Sequence, residues 1–354
     1  MDGGRVTTGS LSIRSADPAA DAPRIGAVLG RNLPDAASPE RLRWLYGTNP
    51  CGPALVWIAE REGSGEPVAT SAAYPRRFRI DGKDALALNL SDFAIDAGYR
   101  TLGPALALLR STLAAVADGG FAFSYDVPSE SMLALYKRLG HVELGRMERR
   151  VRPLSLRPAL ERRIGGWARL LAPPLDFLLR ARDALAAAPP GLSVEPLAGA
   201  FGAEFDAFEA RESSRCRVRG VRSAAYLDWR YARHTMWPHG TFCARRGGAL
   251  TGFLVWRAAE QGVLLVAELE DGGDPRVGRA LVKALASLGR SRGATGLSVE
   301  VLAGSPAAAR FARLGFVKRG DGPGPVVYLP PDGPLARELV DARHWWFLAG
   351  DRDI

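Results

Sequence analysis

The chain has 354 residues, of which 47% are hydrophobic, and a formal net charge of +9. This length exceeds what one hydrophobic core usually organises, so we expect two domains. Only four of the 47 basic residues are lysine, so we attribute the charge to an arginine-rich composition rather than to nucleic-acid binding. Three scattered cysteines without a C-x-x-C pair and four histidines without ligand spacing exclude a disulfide framework and predict no metal site.

The first eighty residues alternate between strand-like and helix-like segments. A strand is predicted at 11–14, a helix at 18–30, a second helix capped by Ser38, and strands at 55–60 and 68–80. The Asp81-Gly82 pair that follows is typical of a two-residue hairpin turn. We therefore expect the chain to enter the next strand in antiparallel fashion.

The stretch from Ala85 to Gly140 predicts a strand, a turn, a helix, a strand and a second helix. Alternating apolar residues end at Ile95, and Pro104 opens an apolar helix, where its missing N–H costs nothing. A second strand is predicted at 121–125, and Ser129 is a suitable N-cap for the helix that follows.

The turn at residues 96–103 has the features of an anion-binding site. The first N–H groups of a helix have no intrahelical partners, and the helix dipole places partial positive charge there. Gly103 allows close approach to the backbone, and Arg100 adds a full charge.

The pattern Arg100-x-x-Gly103-x-Ala105, followed by a strand and by a helix that ends in 135–140 (LYKRLG), resembles the GNAT superfamily of acyl-CoA-dependent N-acyltransferases. The resemblance implies that the turn wraps the pyrophosphate of coenzyme A, with acetyl-CoA or another acyl-CoA as co-substrate. The cofactor-binding residues that it implies are Phe93, Ala94, Ile95, Arg100, Thr101, Leu102, Gly103, Pro104 and Ala105.

The same resemblance implies two catalytic residues. Tyr136 falls at the position of a tyrosine that protonates the departing thiolate, and His141 replaces the usual phenylalanine after it. Asp92 stands where related enzymes carry an acidic residue, and it would deprotonate the acceptor ammonium directly or through a water. Both residues also fit structural roles, Tyr136 in a core stripe and Asp92 at a strand edge, and both alternatives stay open.

The second half of the chain repeats the plan of the first. Gly103 and Gly140 have the same spacing, 37 residues, as Gly278 and Gly315. We therefore predict an α/β (α+β) fold of two tandem GNAT-like domains, at 1–152 and 191–330, each a mixed, mostly antiparallel sheet flanked by helices. Because Phe311 takes the place of Tyr136, we expect the first domain to bind acyl-CoA and the second to be degenerate. The reverse assignment stays open, since Gly315-Phe316 matches the family's turn better than Gly140-His141.

Residues 153–190 between the copies predict a basic amphipathic helical linker. Apolar residues recur at helical spacing with arginines between them, and the Pro173-Pro174 pair is expected to break the helix. Such a helix either packs against both domains or, through residues 155–188, makes peripheral contact with an anionic membrane.

The segment 331–354 is predicted to be an aromatic tail. Trp345, Trp346 and Phe347 would be costly to leave in water. We expect them to dock on a domain surface or to line an acceptor pocket.

These observations favour an N-acyltransferase, and in particular an N-acetyltransferase, that acts on a primary amine. The acceptor is expected to be a small molecule or a saccharide, for instance an amino sugar of surface-polysaccharide biosynthesis. Two alternatives stay open: an aminoacyl-transferring enzyme with duplicated GNAT-like domains, and an inactive binding or scaffold protein. We expect no nucleic-acid partner, and the sequence leaves the oligomeric state open.

A cytoplasmic location is expected. The first ten residues lack the apolar segment of a secretory signal, and no apolar run reaches the roughly 18 residues that a membrane span needs. The cysteine pattern is that of a protein in a reducing compartment.

Overall fold

The computed structural model describes residues 6–8, 11–185, 189–212, 216–259, 262–330 and 337–352. The predicted first domain, linker and tail therefore extend outside the described residues, at 1–5, 9–10, 186–188, 331–336 and 353–354. The strands described are β1 (Val6–Thr8), β2 (Leu11–Ala16), β3 (Leu55–Arg61), β4 (Pro67–Ile80), β5 (Lys83–Ile95), β6 (Ser124–Asp126), β7 (Val142–Glu143), β8 (Met147–Pro153), β9 (Leu192–Pro196), β10 (Val218–Gly220), β11 (Gly240–Arg246), β12 (Ala249–Ala259), β13 (Val263–Glu270), β14 (Gly296–Leu302), β15 (Val317–Gly322), β16 (Val326–Tyr328) and β17 (Trp345–Trp346). The α-helices described are α1 (Ala22–Asn32), α2 (Pro39–Leu42), α3 (Leu102–Asp118), α4 (Glu130–Arg138), α5 (Arg157–Ile164), α6 (Ala168–Leu185), α7 (Ala203–Glu212), α8 (Ala224–Leu227), α9 (Pro275–Ser291) and α10 (Pro306–Arg313).

The first sheet is built around the long hairpin of β4 and β5. Its order is β1-β2-β3-β4-β5-β6-β16-β7, and along this path only the β5–β6 pair is parallel. The hairpin turns at Asp81 and Gly82, which have φ angles of 47° and 81°. A turn with positive φ at both central residues matches the twist of the flanking strands, which is why the Asp-Gly pair predicted it correctly.

The second sheet has the order β15-β8-β14-β13-β12-β11-β9, and only its β13–β14 pair is parallel. Helix α9 lies against this sheet and buries Val277, Leu281 and Leu285 in its core. Along its main path each sheet therefore contains one parallel pair among the described strands, joined by a helical crossover (α3 or α9), within an otherwise antiparallel arrangement.

The two halves exchange a strand. After β7 the chain leaves the first sheet, and β8 pairs with β14 and β15 of the second sheet. In return, β16 leaves the second half and inserts between β6 and β7 of the first sheet. Because each sheet needs a strand from the other half, the halves depend on each other for their hydrogen bonding.

A pair of tryptophans joins the two halves with pseudo-twofold symmetry. The rings of Trp44 and Trp229 stack with their centroids 5.2 Å apart. The Trp44 indole N–H donates to the Trp229 carbonyl at 2.9 Å, and the Trp229 indole N–H donates to the Trp44 carbonyl at 3.1 Å. The sequence repeats a Trp-x-Tyr pattern in Trp44-Leu45-Tyr46 and Trp229-Arg230-Tyr231. Both copies lie in π-helical turns, at 43–47 and 228–232, so the pattern marks equivalent positions in the two halves.

The predicted boundary of the first helix is wrong at its N-terminal end. Asp17 accepts hydrogen bonds from the backbone N–H groups of Ala19 and Ala20, which holds that segment in a turn. The helix therefore begins at Ala22 rather than at residue 18.

The predicted break at Pro173-Pro174 is also wrong, because both prolines lie inside α6. The helical linker is interrupted earlier, at Gly165, which has φ 55° and ψ −129°. Only glycine adopts this region readily, so Gly165 ends α5. Both prolines are exposed, so solvent can hydrate the carbonyl groups that they leave without N–H partners. In the part of the chain that the structure describes, no helix is both long and apolar enough to cross a bilayer.

The end of the chain contacts both sheets. Strand β17 runs parallel to β10, which in turn pairs with β4, and Trp345 and Phe347 are fully buried. Leu348 then forms a bridge with Val301 of β14, next to the place where β13 and β14 cease to pair.

Candidate active site

The parallel strands β5 and β6 pair only over a short stretch, at the middle of β5 and the start of β6. Leu88 pairs with Ser124 and Asn89 with Tyr125, and beyond this point β5 and β6 have no mutual ladder. On its other side β5 bulges, because the pairing to β4 shifts register near Asp92. Asp92 has φ 51°, an uncommon conformation for a residue other than glycine, and such bulges often re-aim a side chain near a functional site.

A cleft of about 620 Å³ opens between the end of β5, the start of α3 and one face of α4. Most of the predicted cofactor residues come together in its lining, whereas Gly103 and Pro104 lie in the first turn of α3 beside it. The predicted residues in the lining are Phe93, Ala94, Ile95, Arg100, Thr101, Leu102 and Ala105. Met132, Leu135 and Arg138 of α4 form the opposite wall.

The N-terminal end of α3 is free of a side-chain cap. Thr101 is the N-cap residue, but its side chain accepts no hydrogen bond from the first turn. The N–H groups in the first turn of a helix have no intrahelical partner. Pro104, the third residue of α3, has no N–H, so the first turn provides the N–H groups of Leu102 and Gly103 as donors. The helix end therefore presents backbone donors to the cleft.

Arg100 is fixed at the mouth of this cleft. Its Nε donates to the carbonyl of Ile95 at 2.9 Å, and its Nη2 donates to the Asn32 side chain at 2.8 Å. The residue is exposed, so its charge acts on the cleft while the two bonds hold the guanidinium in place. Arg138 supplies a second positive charge from α4.

A second cavity of about 380 Å³ adjoins the first, since Asn32, Leu33, Phe93 and Met132 line both. It contains both predicted catalytic residues, Asp92 and Tyr136. The two cavities form one trough from the start of α3 to these side chains. Three carboxylates line its inner end: Asp35, Asp92 and Asp126.

Asp92 is held in a buried hydrogen-bonded pair with Arg41. The Arg41 guanidinium donates to both carboxylate oxygens, at 2.8 and 3.0 Å, and the Tyr46 hydroxyl donates to one of them at 2.6 Å. Burial opposes the charge on Arg41, yet Asp92 raises the pKa of that guanidinium. Burial and the nearby Asp92 charge raise the pKa of Tyr46 well above its usual value. The pair fastens the segment around α2 to the bulge of β5.

Tyr136 is buried on α4 and packs against His141. The two rings lie 4.6 Å apart, and Tyr328 of the exchanged strand β16 packs on the other side of His141. Burial lowers the pKa of His141 to about 4, so the imidazole is neutral near pH 7. Its Nδ1 lies 3.1 Å from the Tyr136 carbonyl, which ties the end of α4 to this turn.

Sequence reasoning missed several residues of the trough. Arg41 and Tyr46 reach Asp92 from a helical segment about fifty positions earlier in the chain, and Asn32 reaches Arg100 from the end of α1. No local motif marks Arg41. The only available signal was the repeated Trp-x-Tyr pattern, which places Tyr46 and Tyr231 in equivalent turns.

In the corresponding region of the second half, the helix start is capped and the tail fills part of the gap between the parallel strands, leaving a cavity of about 320 Å³. Asp274 caps α9 by accepting a hydrogen bond from the N–H of Arg276 at 2.8 Å. Phe311 stands where Tyr136 stands in the first half and packs on Phe316. The gap between β13 and β14 is contacted by the tail, where Gly350 lies beside Tyr231 and Glu268.

No protein-family model and no curated protein matches this sequence. Solved structures do match. A protein from Enterococcus faecalis described as a probable N-acyltransferase aligns with a TM-score of 0.63 at 14% identity, covering 91% of this chain and 73% of that one. A GCN5-related N-acetyltransferase from Anabaena variabilis has a TM-score of 0.63 at 13% identity, over 90% and 72% of the two chains.

N-myristoyltransferase of Saccharomyces cerevisiae, solved with bound myristoyl-CoA, aligns over 98% of this chain and 92% of its own, with a TM-score of 0.58 and 12% identity. The chain has the GNAT fold. The prediction of GNAT-like domains built on two mixed sheets is thereby confirmed. At these identities the likeness shows the fold alone, so the chemistry has to be argued from the trough.

Proposed function

We propose that the protein is an acyl-CoA-dependent N-acyltransferase that acetylates a primary amine in the trough of its first half. The observation that carries this proposal is the uncapped start of α3, which opens onto a trough ending at Tyr136 and Asp92. Helix ends with free N–H groups bind phosphate groups, and a single trough from such an end to an acid–base pair suits a long phosphorylated donor.

The residues that line the trough fit coenzyme A, the group that carries the acyl chain of the donor. The N–H groups at the start of α3, together with Arg100 and Arg138, would hold its pyrophosphate. The edge of β5 from Phe93 to Ile95 faces the cleft without a partner strand. The Ile95 carbonyl already accepts from Arg100, and the remaining backbone groups of this edge are available to the amide-rich arm of the carrier. When bound, acyl-CoA supplies the activated thioester.

Side chains of the protein donate and accept the protons of the reaction. Tyr136 donates its hydroxyl proton to the sulfur as the bond from carbon to sulfur breaks. A water at Asp92 takes the proton that converts the ammonium to the attacking amine, because the two Asp92 oxygens already accept bonds from Arg41 and Tyr46. As the new carbon–nitrogen bond forms, the nitrogen gives its second proton, through water, to the Tyr136 phenolate, and one proton per turnover passes to solvent. Such acid–base assistance contributes about 100- to 10,000-fold to a rate.

The acceptor is proposed to be a cationic amine that enters the inner end of the trough. Asp35, Asp92 and Asp126 line this end and attract an ammonium group. The polar lining suits an amino sugar, and we propose a saccharide amine of surface-polysaccharide biosynthesis as the acceptor. The proposal places this reaction in the cytoplasm.

The direct test measures release of free thiol from acetyl-CoA with a panel of primary amines that includes amino sugars. The proposal predicts amine-dependent thiol release by the wild-type protein and its loss in Tyr136→Phe. Thiol release without amine dependence, or none with any amine while acetyl-CoA binds, would contradict it.

A further inference from the structure

The linker between the two halves forms a helical pair whose outer face is apolar. Helix α5 packs against α6, and α6 is fastened to the body of the protein by two carboxylates on one side. Asp183 pairs with Arg152 and Arg290, and Asp176 accepts hydrogen bonds from Ser155 and from the backbone of Leu156. The inner side of α6 is therefore fixed.

The outer side of this pair leaves large apolar residues in water. Trp167 is 70% exposed, and Leu170 and Phe177 are each 67% exposed. Leu171 and Leu178 are also exposed, at 50% and 61%. Half of the large apolar residues that the structure shows exposed lie in this one segment, from Ile164 to Leu178. These side chains face solvent because the carboxylates turn the other side of α6 inward.

A cationic cleft lies beside this apolar face. It has a volume of about 730 Å³ and lies between α5 and the second sheet, where β8, β13, β14 and β15 contribute to its lining. Arg149, Arg162, Arg163 and Arg319 line it, all four are exposed, and no described carboxylate joins the lining. The cleft is therefore suited to anionic groups that carry phosphate.

We propose that the linker docks the protein on an anionic phospholipid surface. The exposed Trp, Phe and Leu side chains enter the interface between headgroups and acyl chains, and the arginine cleft binds lipid phosphates beside them. A second copy of the chain is a poorer occupant, because a twofold contact through this face would set the same arginines against each other. This inference does not depend on the acyl-transfer reaction.

The test is flotation of the full chain with vesicles of phosphatidylcholine containing phosphatidylglycerol, against vesicles of phosphatidylcholine alone. The wild type is expected to bind the anionic vesicles at low salt and to be released by high salt. The double variant Trp167→Ala/Phe177→Ala is expected to bind at least ten-fold more weakly. Arg162→Gln/Arg163→Gln is expected to lose about fivefold for each arginine.

Matched control variants distinguish vesicle binding through the linker from nonspecific adsorption. Trp237→Ala removes an exposed tryptophan, and Arg276→Gln an exposed arginine, both outside the linker, and both variants are expected to bind vesicles like the wild type. Absence of wild-type binding to anionic vesicles would overturn the proposal. So would a wild-type dimer that Trp167→Ala/Phe177→Ala converts to a monomer in light scattering while vesicle binding stays unchanged.

Discussion

The starts of α3 and α9 are equivalent helix ends that the two halves use differently. At α9, Asp274 accepts the N–H of the second helical residue, Arg276, and Asp271 pairs with Arg310 close by. At α3, the N-cap Thr101 leaves the N–H of the second helical residue, Gly103, without a side-chain acceptor, and Arg100 stands beside it.

The two helix starts show that a capping side chain and an anionic ligand compete for the same N–H group in the first turn. A side-chain cap stabilises a helix by about 1 kcal/mol, and its oxygen takes the N–H that a phosphate would use. In the second half Asp274 caps the helix start, Asp271 pairs with Arg310 beside it, and the tail fills part of the gap between the parallel strands. In the first half no side chain caps the N–H groups at the start of α3, which is why we place the donor site there. The variants below are ordered from the largest expected effect to the smallest.

Tyr136→Phe is expected to have the largest effect on activity, because it gives the first half the side chain that the second half has at Phe311. We expect kcat to fall by about 100- to 10,000-fold while the KM for acyl-CoA changes little, since only the proton donor is lost. Steady-state thiol release measures both constants. Tyr226→Phe, which also removes a buried hydroxyl, is the control and should keep its activity. Equal activity of Tyr136→Phe and the wild type would contradict this role.

His141→Phe makes the turn after α4 resemble the second half, which has Phe316 there. Burial lowers the pKa of folded His141 to about 4, whereas the unfolded side chain titrates near 6.5. The unfolded chain therefore binds this proton more tightly, and stability is lost as the pH falls from about 6.5 to about 4, by up to about 3 kcal/mol.

The free energy of unfolding in urea at pH 7, 5.5 and 4 measures this loss. His141→Phe should lose less stability on acidification than the wild type. His234 and His239, whose pKa values are lowered to about 3 and about 4, mainly by burial, titrate in both proteins and cancel in the comparison. Parallel pH dependence of the two proteins would show that His141 is not buried as a neutral group.

Thr101→Asp transfers the cap of the second half to the first. The new carboxylate would accept the N–H of Gly103 and repel phosphate, so acyl-CoA should bind about 10- to 100-fold more weakly, as measured by calorimetry. The same variant should be about 0.5–1 kcal/mol more stable, because the helix gains a cap. Thr101→Ser, which keeps the hydroxyl and adds no charge, should bind like the wild type.

Asp274→Ala is the reciprocal change and the mildest. Loss of the α9 cap should cost about 1 kcal/mol of unfolding free energy and leave the KM for acyl-CoA unchanged. Denaturant unfolding and thiol release measure the two effects. A rise in KM would indicate that the second half contributes to donor binding.

The local part of the site could be predicted from the sequence, and the distant part could not. The strand, turn and helix from Ala85 to Asp118 follow from periodicity, proline and glycine signals within some thirty residues, so seven of the predicted residues fall in one cleft. The Arg41–Asp92 pair depends on packing across 51 positions, and nothing in the residues around either side chain specifies it.

The strand exchange and the linker show the same limit. A strand pattern does not specify which sheet a strand joins, so the exchange of β8 and β16 between the two sheets could not be predicted. The proline pair at 173–174 usually predicts the end of a helix, but α6 continues through it because both prolines are exposed to solvent. The helical linker is interrupted at Gly165 instead.

The central claim is that acyl-CoA binds at the start of α3 and not at the start of α9. Backbone hydrogen exchange of the full chain with and without saturating acetyl-CoA tests it most directly. The account predicts slower exchange at residues 93–105 and 131–138, with residues 267–278 unchanged. Protection at 267–278 with none at 93–105 would contradict it.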